Sequence, residues 1–127
     1  MAISIVNVSS PAGETLYTDT AMGAGLDAIK ASSALVLWVQ VDNTANGGAA
    51  SYVKLFNLLS GSVTLGTTSP DEVLYTPGGI KRTHILLNGA LPGITFGTGL
   101  TAACVTTGGT AGTSAPASSV IVTVAFV

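Results

Sequence analysis

Hydrophobic positions in this chain come in short alternating runs rather than helical stripes. The longest run is Ala34-Leu35-Val36-Leu37-Trp38-Val39-Gln40-Val41-Asp42-Asn43, which holds the only tryptophan. Successive side chains of an extended strand point to opposite faces. Leu35, Leu37, Val39 and Val41 would then share one face. Val36 and Trp38 make the other face apolar until Gln40 and Asp42 turn it polar. The first half of the run reads as buried on both faces and the second half as emerging. Such a strand needs sheet neighbours and a second layer above it.

Similar runs predict strands near 3–8, 14–18, 27–32, 51–58, 63–65, 72–76, 80–87, 94–97, 99–105 and 118–127. Between them stand turn-forming clusters: Ser9-Ser10-Pro11-Ala12-Gly13, Asn46-Gly47-Gly48, Pro77-Gly78-Gly79, Asn88-Gly89 and Pro92-Gly93. The loop at 43–50 predicts that 34–42 and 51–58 form an antiparallel pair. A helix over 19–30 is disfavoured, because Gly23 and Gly25 would each cost roughly 1 kcal/mol in its interior. Residues 106–117 contain no large apolar side chain and are expected to form a mobile surface loop. The pattern predicts an all-β chain: a single β-sandwich of eight to ten short antiparallel strands, jelly-roll-like, with a small barrel as the second choice. Residues 1–12 form an N-terminal strand or arm in this reading, and 13–127 form the sandwich.

Composition narrows the functional classes. Only 8% of the 127 residues are charged, against about 25% in an average soluble domain. Ser, Thr, Gly and Ala take the surface role. Such a surface desolvates at little cost and raises the expectation of self-association. The hydrophobic runs fall far short of the about 20 residues a membrane helix needs. Neither a membrane partner nor a signal peptide is expected. The net charge is −2, and Lys81-Arg82 is the only adjacent basic pair. Nucleic acid is therefore not an expected partner. Cys104 is the single cysteine, so no disulfide forms within the chain.

Catalytic templates fail on inventory. There is one histidine, His84, and one cysteine. No Gly-x-Ser-x-Gly elbow accompanies His84. Cys104 lies in apolar surroundings and reads as a core residue. Zinc would need four closely spaced ligands, and the adjacent acids Asp71 and Glu72 lack a calcium-loop spacing. Gly108-Gly109-Thr110-Ala111-Gly112 lacks the Gly-Lys-Ser/Thr ending of a phosphate loop. No enzyme activity, catalytic residue, cofactor, metal or small-molecule ligand is expected. Among the aromatics, Trp38 and Phe56 read as core. Tyr17 and Tyr75 are the candidates for surface contacts, such as stacking on a sugar.

Three segments together carry a family resemblance. They are Val41-Asp42-Asn43-Thr44-Ala45-Asn46 followed by Tyr52-Val53-Lys54-Leu55-Phe56-Asn57; then Val63-Thr64-Leu65-Gly66-Thr67-Thr68-Ser69-Pro70-Asp71; then Gly93-Ile94-Thr95-Phe96-Gly97-Thr98-Gly99-Leu100-Thr101-Ala102-Ala103. Over about residues 34–107 the chain resembles small β-structured virion proteins of tailed bacteriophages, of the capsid decoration or cement type. The resemblance implies a β-sandwich or jelly roll made in the host cytoplasm. It implies a homotrimer on the outer surface of the capsid, bound to the major capsid protein and stabilising the shell without chemistry. Two alternatives stay open. One is another virion β-module, in a tail, baseplate or head fibre with receptor contact. The other is a carbohydrate-binding β-sandwich.

Overall fold

Strands and turns account for the regular structure in a computed structural model, which describes residues 2–7 and 13–127. The elements in chain order are β1 (Ile3–Asn7), β2 (Thr15–Asp19), β3 (Asp27–Lys30), β4 (Ala34–Asp42), β5 (Ser51–Phe56), β6 (Glu72–Thr76), β7 (Lys81–Ile85), β8 (Leu87–Asn88), β9 (Leu91–Pro92), β10 (Ile94–Phe96), β11 (Leu100–Val105) and β12 (Ile121–Phe126). The one helical piece among the described residues is a 3-10 turn at Ser60–Ser62. The expected strand at 63–65 is absent: Thr67 and Thr68 both donate backbone N–H bonds to Thr64, closing a turn instead. The expected turn at 9–12 lies outside the described residues.

The strands form two main layers. The first, sheet A, runs β1-β2-β12-β4-β10, with β7 also paired to β4 beside β10. The second, sheet B, runs β3-β11-β5-β6. Every pairing is antiparallel, and β8 with β9 forms a separate small hairpin. The chain is thus all-β, with two sheets stacked as a sandwich. Val36, Val39, Val41, Val122, Val124 and Phe96 of sheet A meet Val53, Leu55, Leu100, Ala102 and Cys104 of sheet B in the core.

Two expectations about β4 need correction. It does not pair with β5. Its neighbours are β12 on one edge and β7 and β10 on the other, while β5 lies in the opposite sheet. The reason is side-chain chemistry in the connection. Fully buried Asn43 donates through Nδ2 to the carbonyls of Ala49 (2.9 Å), Pro77 (3.1 Å) and Thr76 (3.3 Å). Its Oδ1 accepts from Asn46 Nδ2 at 2.9 Å, and Asn46 also bonds both backbone groups of Ser118. These bonds fold 43–50 into an arch that carries the chain from one sheet to the other. Gly78 lies beneath the arch, where a Cβ would come within 2.5 Å of the Asn46 carbonyl and the Ala49 nitrogen.

The second correction concerns which faces of β4 are buried. Ala34, Val36, Val39 and Val41 face the core, so the alternation changes phase midway. The register against β12 shows the cause: Phe126 pairs with Val36 and Ala125 with Trp38, leaving Leu37 as an extra, bulged residue. The bulge turns Trp38 away from the core.

The arch is testable. Asn43→Ala removes four hydrogen bonds, one of them to the carbonyl of buried Thr76, each worth about 1 kcal/mol. Denaturant unfolding is expected to show a loss of about 2–4 kcal/mol.

Candidate functional site

The two sheets differ in what covers their outer sides. On sheet B the outward residues Thr101, Ala103, Val105, Lys54 and Phe56 are all buried. Residues 106–117, which contain no strand or helix, lie over this sheet. Lys54 Nζ donates to the Gly112 carbonyl at 2.8 Å and to the Thr110 carbonyl at 3.4 Å. Gly108 packs against the Tyr52 ring, and Thr113 against Gly66. The Thr101 hydroxyl donates to the Leu58 carbonyl at 2.8 Å. The β5–β11 centre of sheet B is therefore roofed by the chain's own loops, while Val73 and Tyr75 of β6 stay exposed at its edge. Burial also holds the Lys54 amine below the ordinary lysine range.

Sheet A has no such roof among the described residues. Its outward side carries an apolar row in register across five strands: Val6 opposite Leu16, Leu16 opposite Ala125, Ala125 opposite Trp38, and Trp38 opposite Ile85. Trp38 and Leu16 are half-buried, and Val6 is exposed. Ile85 is 71% exposed. The neighbouring row is neutral and polar: Thr18 meets Thr123 at 3.0 Å, and Gln40 Nε2 donates to Thr83 Oγ1 at 3.2 Å. The β8–β9 hairpin extends the apolar area. Gly93, with φ +87°, passes over the Leu35 and Leu37 side chains, where any Cβ would clash at 2.7 Å. Beyond it Leu87 and Leu91 are exposed, Leu91 at 67%. The exposed members of this tract make the outer side of sheet A the candidate interaction surface among the described residues.

The tyrosines predicted for surface contacts part company. Tyr17 is 3% exposed, with its ring in the core, so its expected surface role is corrected. Strand β2 turns Tyr17 inward with Thr15 and Asp19, opposite Val124 of β12. Tyr75 on β6 is 46% exposed and leans on Tyr52, ring centres 5.4 Å apart. Phe56 is buried, though on the roofed side of sheet B rather than in the central core cluster.

Candidate reactive groups are dispersed or buried. His84 on β7 shares a hydrogen bond with the Thr76 hydroxyl at 3.1 Å; burial, then Arg82, lowers its pKa. Burial pushes the Cys104 thiol up to about 12, with Ser51 and the Tyr52 backbone offsetting only part. Asp71 accepts the Asn57 N–H at 2.7 Å. Among the described residues no group of three or more His, Cys, Asp or Glu side chains gathers where a metal would sit.

Sequence reasoning missed one buried polar cluster. Tyr17 donates to Asp27 Oδ2 at 2.9 Å, and Asp19 lies beside Asp27, linking β2 of one sheet to β3 of the other. Asp19 Oδ1 accepts the Ala21 N–H, while its buried Oδ2 has no donor unless Asp27 carries a proton. Burial, then the Asp19 carboxylate, raises the Asp27 pKa to about 7. Burial and Asp27 push the Tyr17 hydroxyl well above its usual range. The signal was present in the alternation Tyr17-Thr18-Asp19, which puts an acid on the same face as a ring. No family model matches the chain, and no curated protein matches it in sequence.

Two outcomes follow from these environments. The folded state binds the Asp27 proton more tightly than the unfolded state does. The stability this adds is complete below about pH 4 and is lost as pH rises through about 7. Asp27→Asn reproduces the protonated group, accepting from Tyr17 and donating to Asp19. Thermal melts across this range should show a flattened pH dependence, with the variant more stable than the parent at pH 8 by on the order of 2 kcal/mol. Trp38→Ala should cost about 1–2 kcal/mol in the isolated chain, less than the about 3–5 kcal/mol of a fully buried ring.

Proposed function

We propose that the chain is a bacteriophage capsid decoration (cement) protein that stabilises the head as a homotrimer bound to the major capsid protein. The observation that carries this reading is the difference between the two outer faces. The centre of sheet B is closed by the chain's own loops, whereas the sheet A side leaves Ile85 and, on the adjoining β8–β9 hairpin, Leu87 and Leu91 exposed, with Trp38 half-buried beside them. The resemblance of residues 34–107 to virion proteins gives that face a context. The surface is poor in charge, which suits packing in many copies on the outside of a shell.

The mechanism is burial. Each square ångström of apolar surface removed from water contributes about 25 cal/mol. A standard interface buries about 800 Å² per partner. Copies bound across junctions between shell subunits add such contacts without any bond being made or broken. The reading as another virion β-module, in a tail, baseplate or fibre, shares this face and differs in copy number. For the carbohydrate-binding reading, Tyr75 is the remaining exposed ring of the two tyrosines proposed for it.

Light scattering on the pure protein tests the trimer, and a monomer at all concentrations would count against it. Quantitative gels of the virion should find hundreds of copies on the head; a few dozen or fewer would favour the tail or fibre reading. Ile85→Asp changes an exposed residue, so stability should stay within about 0.5 kcal/mol. Binding to undecorated shells should fall at least about tenfold, or about 1.4 kcal/mol. Unchanged binding would remove the sheet A face from the interface.

A further inference from the structure

A different surface, the β1 edge of sheet A, is set apart by its lack of a described partner. Strand β1 pairs only with β2, so its other backbone edge has no partner among the described residues. It is also apolar on both faces and covered on neither. Ile3 and Ile5 lie on the side of the core layer, yet Ile5 is 61% exposed and Ile3 is also exposed. Val6 on the other side is exposed too. Sheet B, with four strands against six, does not reach over β1.

The other edges are guarded. Strand β3 carries Asp27 and Lys30, β6 carries Glu72, and β7 carries Lys81 and Arg82. Strand β10 has three residues, and β9 contains Pro92. Charge, shortness and proline are the usual means of keeping edges from pairing. Strand β1 has five residues with no charge, no proline and no bulge in its register.

We infer that β1 is a pairing edge for β1 of a second copy, in antiparallel register about a two-fold axis through Ile5. Both strands are uncharged, so an identical partner meets no repulsion. With Ile5 opposite Ile5, all five residues of each strand are paired, and Ile3 falls opposite residue 7 of the second copy. Antiparallel pairing keeps faces matched. The isoleucines of both copies therefore gather on one side, where each chain alone leaves them in water. The contact is about 17 Å long, which is small beside a standard interface of about 1,600 Å². It is weak between free molecules and effective between copies already held close together. The inference does not depend on what covers the outer face of sheet A.

Cysteine trapping tests the axis directly. Under mild oxidation the Ile5→Cys variant should form a disulfide-linked dimer about tenfold faster than Ile3→Cys, because only position 5 faces itself. The unmodified chain is the control, since buried Cys104 is its only thiol. Equal rates at positions 3 and 5, or no dimer from either, would overturn the pairing. As a second measurement, sedimentation velocity at rising concentration should show the parent growing beyond its basal oligomer, and Ile5→Lys should abolish that further growth while leaving the basal oligomer intact. Further growth unaffected by Ile5→Lys would also overturn the pairing. These readouts separate the edge from the face, because Ile85→Asp alters shell binding and leaves the position-5 cross-link intact.

Discussion

Strand β4 must supply apolar side chains to the core along nine residues while lying in the middle of its sheet. Strict alternation starting from Ala34 and Val36 would put Trp38 and Gln40 inside. The bulge at Leu37 resets the phase, so Val39 and Val41 enter the core instead. Gln40 is then free to bond Thr83 at the surface. The same reset sends the largest side chain of the chain outward, into register with Ala125 and Ile85. Core packing and the exposed apolar row thus have one origin. Without the bulge, the core would have to bury an amide, and the outer face would lose its central ring.

Charge is used sparingly, and much of it is spent inside. Of four basic and six acidic residues, Lys54, Asp19 and Asp27 are buried. Lys54 closes the roof over sheet B, and the two acids with Tyr17 link the sheets at the β2 and β3 ends. Burying polar groups costs stability unless partners are found, so each of these fixes local geometry closely. The surface left behind is poorer in charge than the composition suggests. The sheet A face, with its threonine row beside its apolar row, is therefore cheap to desolvate.

Strand locations were legible because hydrophobic alternation and turn residues act locally. Runs at 14–18, 27–32, 51–58 and 72–76 became β2, β3, β5 and β6 within a few residues. Pairing was less legible. Asn46-Gly47-Gly48 resembles a hairpin turn, but the route of the chain is set by Asn43, whose partners Thr76 and Pro77 are more than thirty residues away. The bulge left no mark because Val36 and Leu37 are both apolar, so either phase looks acceptable. Tyr17 looked like a surface residue for a similar reason: the alternation Tyr-Thr-Asp puts Asp19 on the face of the ring, but the partner that makes this face internal, Asp27, belongs to another strand.

The candidate face and the β1 edge are linked by symmetry. A two-fold axis through Ile5 stands normal to sheet A, since antiparallel edge pairing continues the sheet rather than stacking it. Both outer faces then lie on the same side. Val6 closes the apolar row at the β1 edge, so the rows of two copies approach each other there. One surface, about twice as wide, faces whatever the sheet binds. Linked sites of modest affinity gain roughly 10²–10⁴ in avidity without new contacts. Binding through small uncharged patches, as proposed for this chain, gains from such repetition, and the unguarded edge of β1 is the feature of this fold that would supply it.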